Sequence, residues 1–511
     1  MSRRARVLGA AEAVSLVPDG ATLATSGFVG TGHPEELTKA LEERFCRDGT
    51  PQGLTLVYAA GQGDGKSRGV NHLGQKGLLR RVIGGHWNLA PAIGRLVLAG
   101  DVEAYNFPQG VISKIFREIA SGNPALLSKI GLGTFIDPRL GGGKMNARTT
   151  EDLVRVIEIF GEEVLAYKTL PIDVAFIRAT SSDSEGNLSF EREALTGEAL
   201  SMAQAARNSG GMVIAQVESM VEDIGRDPKA IRVPGIFVDV VVVSSPENHM
   251  QTFAEAFNPD YCVQGNLQGA PLPLLEPGPR RIIAARSMEE LRGGEIVNLG
   301  IGMAEGIAML ALELKRFEEF VLTVEAGVIG GIPAGGLSFG ASLYPRAMID
   351  QPNMFDFYDG GGLDVAFLSM AEVDAQGNVN VSKYGGRVAG TGGFVNIAQT
   401  AKRVVFLSTF TAGNLETRFD DGRLRVLHEG AKRKFVQDVE QITFSAAQAR
   451  ASRREVVYIT ERAVFRLVAS GIELVEVAPG IDMHTQVLGQ MDFTPSISPD
   501  LKIMHEEVFT S

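Results

Sequence analysis

The chain is written twice, and that repeat constrains the fold more than any other feature. DVAFIRATSSDSEGNLSF begins at Asp173 and DVAFLSMAEVDAQGNVNV begins at Asp364. Both open on Asp-Val-Ala-Phe, and both reach a Gly-Asn pair at the same spacing, Gly186-Asn187 and Gly377-Asn378. An apolar run closed by a Gly-Asn turn reads as a buried strand followed by a hairpin. Earlier in each half, VPDGATLATSGFVGTGHPEELTKAL parallels LRGGEIVNLGIGMAEGIAMLAL, setting Gly30 against Gly300 and Gly32 against Gly302. The strands that follow, LTLVYAAG and FVLTVEAG, set Ala59 against Glu325. Several matches in one order imply two homologous halves.

Strand, glycine turn and helix alternate in each half. That pattern implies an α/β fold: two homologous open α/β domains with mainly parallel sheets, fused in one chain. The Pro- and Gly-rich stretch NLQGAPLPLLEPGPRR, residues 266–281, is the expected linker. The expected domains are therefore 1–270 and 271–511. With 511 residues the chain is too long for a single ordinary core.

In such sheets ligands bind beyond the carboxyl ends of the strands. Glu325 sits at such an end, followed by Gly327, Gly330 and Gly331, whereas the first half has Ala59 there. Only the second half carries the carboxylate. The net charge is −12 with scattered Arg and Lys, which argues against nucleic acid as the main partner. Two distant cysteines, Cys46 and Cys262, suit a reducing compartment, and the seven histidines show no metal-ligand spacing. No apolar run reaches transmembrane length, and the basic N-terminus lacks the apolar stretch of a signal peptide, so no membrane contact and a cytoplasmic location are expected.

The glycine loops allow several readings. AGQGDGKS, residues 60–67, fits a loose P-loop pattern, but RGVNHLGQKG after it lacks helical periodicity. GIGMAEG, residues 300–306, followed by Glu325 one strand later, resembles a nicotinamide site with Glu325 as ribose ligand. A ribose ligand does not need the open glycine floor after Glu325. A nucleophilic carboxylate does, because a carbonyl must approach closely and backbone amides must face the oxyanion that forms. AGTGGFVN, residues 389–396, offers further amides of that kind.

Long stretches of both halves carry a family resemblance. VNLGIGMAEGIA, LTVEAGVIGGIPAGGLSFGAS, MFDFYDGGGLDVAFL and VSKYGGRVAGTGGFVNIAQ, with GFVGTGHPEEL, NHLGQKGLLRRVIGGHWNLAP, NFPQGVISKIFREIA and GTFIDPRLGGGKMN, resemble the single-chain propionate/acetate CoA-transferases of family I. The resemblance implies Glu325 as catalytic glutamate, Gln109 of the Pro-Gln-Gly turn reaching the site, and Gly392 and Gly393 as oxyanion donors. It implies Gly300, Ile301, Gly302 and Met303, with Gly390, as the coenzyme A-binding residues. It further implies acyl-CoA and short-chain carboxylic acids as substrates, no metal or other cofactor, and a homo-oligomer, a tetramer; 3-oxoacid specificity is the alternative. Ala304 and Ala326 stand where related sequences often carry proline, which puts turn rigidity and acyl preference in question.

Overall fold

The computed structural model describes residues 4–225, 227–266 and 274–510. The chain forms two compact units. The first comprises residues up to 267 with 324–356 and 387–396; the second comprises 268–323, 357–386 and 397–511. Part of the expected linker, 267–273, lies outside the described residues.

In the first unit eight strands form one sheet. They are β1 (Arg6–Val7), β2 (Thr22–Thr25), β3 (Leu54–Tyr58), β4 (Leu79–Gly84), β5 (Glu103–Asn106), β6 (Val174–Arg178), β7 (Met212–Val217) and β8 (Val240–Val243), in the order β1-β8-β7-β6-β2-β3-β4-β5. All seven pairings are parallel. The central strands LTLVY and VAFIR are buried at every residue, as expected where helices cover both faces. Strand order reverses between β2 and β6, which places the crevice for a ligand beyond their carboxyl ends. Three helices matter below: α1 (Glu35–Asp48), α2 (Gln109–Ala120) and α3 (Ala199–Asn208). Helix α2 buries Ile112, Ile115, Phe116 and Ile119, one stripe at helical spacing.

The second unit repeats this plan. It uses β9 (Ile296–Leu299), β10 (Val321–Val324), β11 (Val365–Ser369), β12 (Arg403–Leu407) and β13 (Glu455–Ile459), continued by β14 (Ala463–Val468), β15 (Gly471–Val477) and β16 (Ser496–Ile503). The run β10-β9-β11-β12-β13 is parallel and matches β3-β2-β6-β7-β8 strand for strand. Strands β14 and β15 add antiparallel, and β16 closes the edge parallel to β15.

The repeat is visible at atomic detail. The Asp173 carboxylate accepts the Thr22 amide at 2.7 Å, and the Asp364 carboxylate accepts the Ile296 amide at 2.9 Å. Each aspartate clamps its strand to the neighbour. At the Gly-Asn turns, Asp183 accepts the Glu185 and Asn187 amides, and Asp374 accepts those of Gln376 and Asn378. The expected hairpins exist, but their partners are short strands after β6 and β11, Ser181–Ser182 with Leu188–Ser189 and Glu372–Val373 with Val379–Asn380.

Strand register pairs Thr22 with Thr55 and Ile296 with Val321. Continued to the strand ends, it sets Ala59 opposite Glu325, as read from the sequence. The Gly30–Gly300 match holds only when counted back from the helices α1 and α4 (Glu305–Glu313). Counted from the strands, Ser26 takes the place of Gly300, because the first half carries four more residues between strand and helix (26–34 against 300–304).

Candidate active site

Glu325 leaves the end of β10 and is buried, with 8% of its surface exposed. Within the second unit, the Thr323 hydroxyl donates to the Val297 carbonyl at 3.1 Å and accepts from Tyr358 at 2.8 Å. Glu325 itself belongs to the first unit. Its flanking Val324 and Ala326 pack there with Phe28, Ala60, Phe253 and Phe339.

The glycines after Glu325 serve a different purpose from the one expected. Gly327 has φ +117°, and a Cβ on it would stand 1.9 Å from the Ile349 carbonyl oxygen. A Cβ on Gly331 would stand 2.4 Å from the Leu343 carbonyl. The segment 343–349 fills the space that an open floor would leave. These glycines let two backbones touch, with the Ile349 amide donating to the Gly327 carbonyl at 2.9 Å.

That contact leads to Gln109. Two residues beyond Ile349, Gln351 begins helix α5 (Gln351–Asp359). The Gln351 side-chain oxygen accepts from the Gln109 carboxamide at 3.3 Å. The Gln109 amide donates to the Gly392 carbonyl at 2.9 Å, and the next amide, of Gly110, donates to the Asn396 side chain at 3.1 Å. Helix α2 therefore begins against the 390–396 turn, which leads into helix α6 (Phe394–Thr400).

A second set of bonds fixes that turn to the end of β4. Gly392 donates its amide to the Gly85 carbonyl at 2.8 Å, and Trp87 donates to the Ala389 carbonyl at 2.7 Å. Asn106 at the end of β5 donates to the Gly84 and Gly85 carbonyls and accepts the Thr391 amide at 3.0 Å. The Gly392 amide is thus already committed to the Gly85 carbonyl. Gly392 has φ +51°, a conformation that favours glycine, and a Cβ on it would lie 3.7 Å from the Gln109 side-chain oxygen, an ordinary contact.

The structure thus brings Gln109, Gly390, Gly392, Gly393 and Glu325 into one unit. Gly300, Ile301, Gly302 and Met303 form the turn after β9 in the second unit. There the Gly300 amide donates to the Phe367 carbonyl at 2.8 Å, the Gly302 carbonyl accepts from Arg280, and Ile301 is exposed.

Four residues of this neighbourhood went unassigned from sequence: His86, Asn106, Glu198 and Gln351. His86 lies within a quoted motif, and Asn106 opens NFPQG; Gln351 precedes MFDFYDGGG. His86 keeps an accessible edge, yet its ring is packed deeply enough for burial to lower its pKa to about 4. It is therefore neutral at physiological pH. Glu198, at the start of α3, carries no sequence signal beyond a helix N-terminus.

The loop AGQGDGKS does not form a phosphate cradle. The Asp64 carboxylate takes the amides of Lys66, Ser67 and Arg68, and a single short 3-10 turn follows, Val70–Leu73. Among the described residues, no helix is long and apolar enough to cross a membrane.

Residues 7–244 match the family described as Coenzyme A transferase. The chain is 43% identical over 511 residues to the acetate CoA-transferase YdiF of Escherichia coli K12, spanning 99% of this chain and 95% of that protein. It is also 43% identical over 514 residues to a caffeate CoA-transferase of Acetobacterium woodii, spanning 99% and 98%. Among solved structures, the acyl-CoA transferase YdiF of E. coli O157:H7, in a thioester complex with CoA, superposes with a TM-score of 0.93 at 43% identity. That match covers 99% of this chain and 96% of the other.

Proposed function

The chain belongs to the coenzyme A transferase family, and from that premise we propose that it moves CoA between short-chain acyl-CoA and short-chain carboxylates, with Glu325 as the nucleophile. The observation that carries the residue assignment is the position of Glu325. It is a buried carboxylate at the end of a parallel strand, linked through Gly327, Ile349 and Gln351 to Gln109 and the 390–393 turn.

The Glu325 carboxylate attacks the thioester carbonyl, the C–S bond breaks, and CoA leaves as thiolate from a mixed anhydride. The thiolate then attacks the glutamyl carbonyl. The anhydride C–O bond breaks, releasing the first acid with one oxygen from Glu325 and leaving a glutamyl-CoA thioester. The acceptor carboxylate runs these steps in reverse, which is ping-pong kinetics. A carboxylate is a weak nucleophile, so the rate depends on positioning and on oxyanion stabilisation. Gln109 and the amides of Gly390 and Gly393 are the donors assigned to that charge, with Gly392 holding the turn. Gly300, Ile301, Gly302 and Met303 are assigned to coenzyme A. The steps call for no metal or redox cofactor.

We assign residues 1–270 and 271–511 as the two CoA-transferase domains, the matched strand order and Asp clamps supporting that division, and the assembly as a cytoplasmic homotetramer. Short acids are favoured by the full-length likeness to an acetate enzyme; a caffeate enzyme at equal identity makes hydroxycinnamates the rival class. Incubating the protein with a panel of acyl-CoAs against acetate, propionate, butyrate and caffeate, read by mass spectrometry, tests the assignment. Exchange fastest among the short acids supports it, and exchange confined to caffeate overturns it.

A further inference from the structure

Two buried polar groups, the Glu198 carboxyl and the Gln351 side-chain nitrogen, make no well-formed hydrogen bond among the described residues. The carboxyl oxygens of Glu198 have only the Glu198 and Gly27 amides near them, and the side-chain nitrogen of Gln351, whose oxygen is taken by Gln109, has no partner. Glu198 is 1% exposed and Gln351 is 0% exposed. A buried polar group without a partner is costly, and such groups in native structures call for a reason.

The two side chains sit on segments that are clasped together. The Gln351 amide donates to the Gly197 carbonyl at 2.8 Å, and Thr196 donates to the Asp350 carboxylate at 2.8 Å. Glu198 also lies close to the Gly27 amide, just past the carboxyl end of β2. That is the point where strand order reverses and a ligand is expected. A cavity of about 450 Å³ shares a wall with the clasp: Thr196 and Arg232 line it, and both bind Asp350.

We propose that Glu198 and Gln351 bind the free carboxylic acid of the exchange, each donating one hydrogen bond to its carboxylate. The inference rests on the Glu325 reading above and adds the group that holds the second substrate. Burial raises the pKa of Glu198 to about 8, the charge of Asp350 adding to it and the Glu198 and Gly27 amides opposing it. At neutral pH Glu198 therefore keeps its proton and donates. Asp350 is paired with Arg232 at 2.9 Å, and His33, behind Gly27, is held neutral by burial with a pKa of about 4. On α2, packed along α3, Lys114 and Arg117 face Asp356. An acid and an amide as donors suit a monocarboxylate and offer nothing to the second charge of a dicarboxylate.

The test compares wild type, Glu198→Gln and Glu198→Leu, measuring KM for acetate across pH and, separately, the loading of CoA onto Glu325 from acyl-CoA. In wild type, kcat/KM for acetate falls as pH rises through about 8, as Glu198 loses its donor proton. Glu198→Gln keeps a donor at every pH and loses that fall. Glu198→Leu raises KM for acetate by about tenfold or more, with CoA loading changed far less. A Glu198→Gln profile that keeps the wild-type fall, or an unchanged acetate KM in Glu198→Leu, overturns the inference. Should Glu198→Leu fail to fold, the isosteric Glu198→Gln profile decides alone. Absence of CoA loading on Glu325 in wild type would instead refute the catalytic reading beneath it.

Discussion

At the scale of single residues, the proposed chemistry depends on where one carboxylate, Glu325, stands. Glu325→Asp keeps the charge but withdraws it by about 1.5 Å. Misplacement of that size costs about a hundredfold in turnover, so kcat should fall by that order while CoA still binds, as steady-state kinetics with a CoA-binding titration would show. Another residue makes a statement about stability. His72 sits between Glu35, at 3.0 Å, and Glu42, and these two raise its pKa to about 9 against the lowering effect of burial. Glu35 is lowered to about 2, its bonds and charges outweighing desolvation. A raised histidine stabilises fully below its ordinary value near 6.5 and loses that contribution as pH rises through about 9. A lowered carboxylate acts in the opposite sense, losing its contribution only as pH falls toward 2. Resistance of wild type to thermal unfolding should therefore weaken between about pH 6.5 and 9. His72→Gln should lose about 3 kcal/mol at the lower pH and show a flatter slope between the two.

At the scale of elements, the strands were legible and the joints between them were not. Runs such as LTLVY and VAFIR are apolar at nearly every position, which is how a strand covered on both faces must read. The Asp-Val-Ala-Phe repeat marked the clamped strands because a carboxylate there holds a neighbouring amide. The four extra residues between β2 and α1 were hidden, since loop length does not alter either flanking pattern. The purpose of the glycines after Glu325 was also hidden. Their partners are the backbone carbonyls of 343–349, which any residue type supplies. Gly327→Ala tests that purpose, because its Cβ would meet the Ile349 carbonyl at 1.9 Å with φ at +117°. It should cost about 3 kcal/mol or more and abolish activity. Gly336→Ala, at φ +60° with nothing within 4 Å, should cost about 1 kcal/mol and leave turnover intact. Urea unfolding of the two variants gives the comparison.

At the scale of the whole molecule, sequence halves and compact units differ. Residues 324–356 and 387–396, which follow the expected boundary, belong to the unit built on the first half of the chain. The repeat could not reveal this, because it records ancestry in strand order, whereas the unit is held by long-range bonds such as Gln109 to Gly392 and Gln351 to Gly197. The residues proposed to react share that unit, so a chain ending at residue 270 lacks Glu325, Gln351 and the 390–393 turn. The measurement that bears most directly on the account is the covalent state of Glu325. The protein is incubated with acyl-CoA in the absence of an acceptor acid, digested, and its peptides are mapped by mass spectrometry. The expected result is a CoA thioester on the peptide containing Glu325, reduced by borohydride, cleaved by hydroxylamine to a hydroxamate, and absent from Glu325→Ala together with turnover. A thioester on a different residue, or a Glu325→Ala protein that exchanges acyl groups at the wild-type rate, would contradict it.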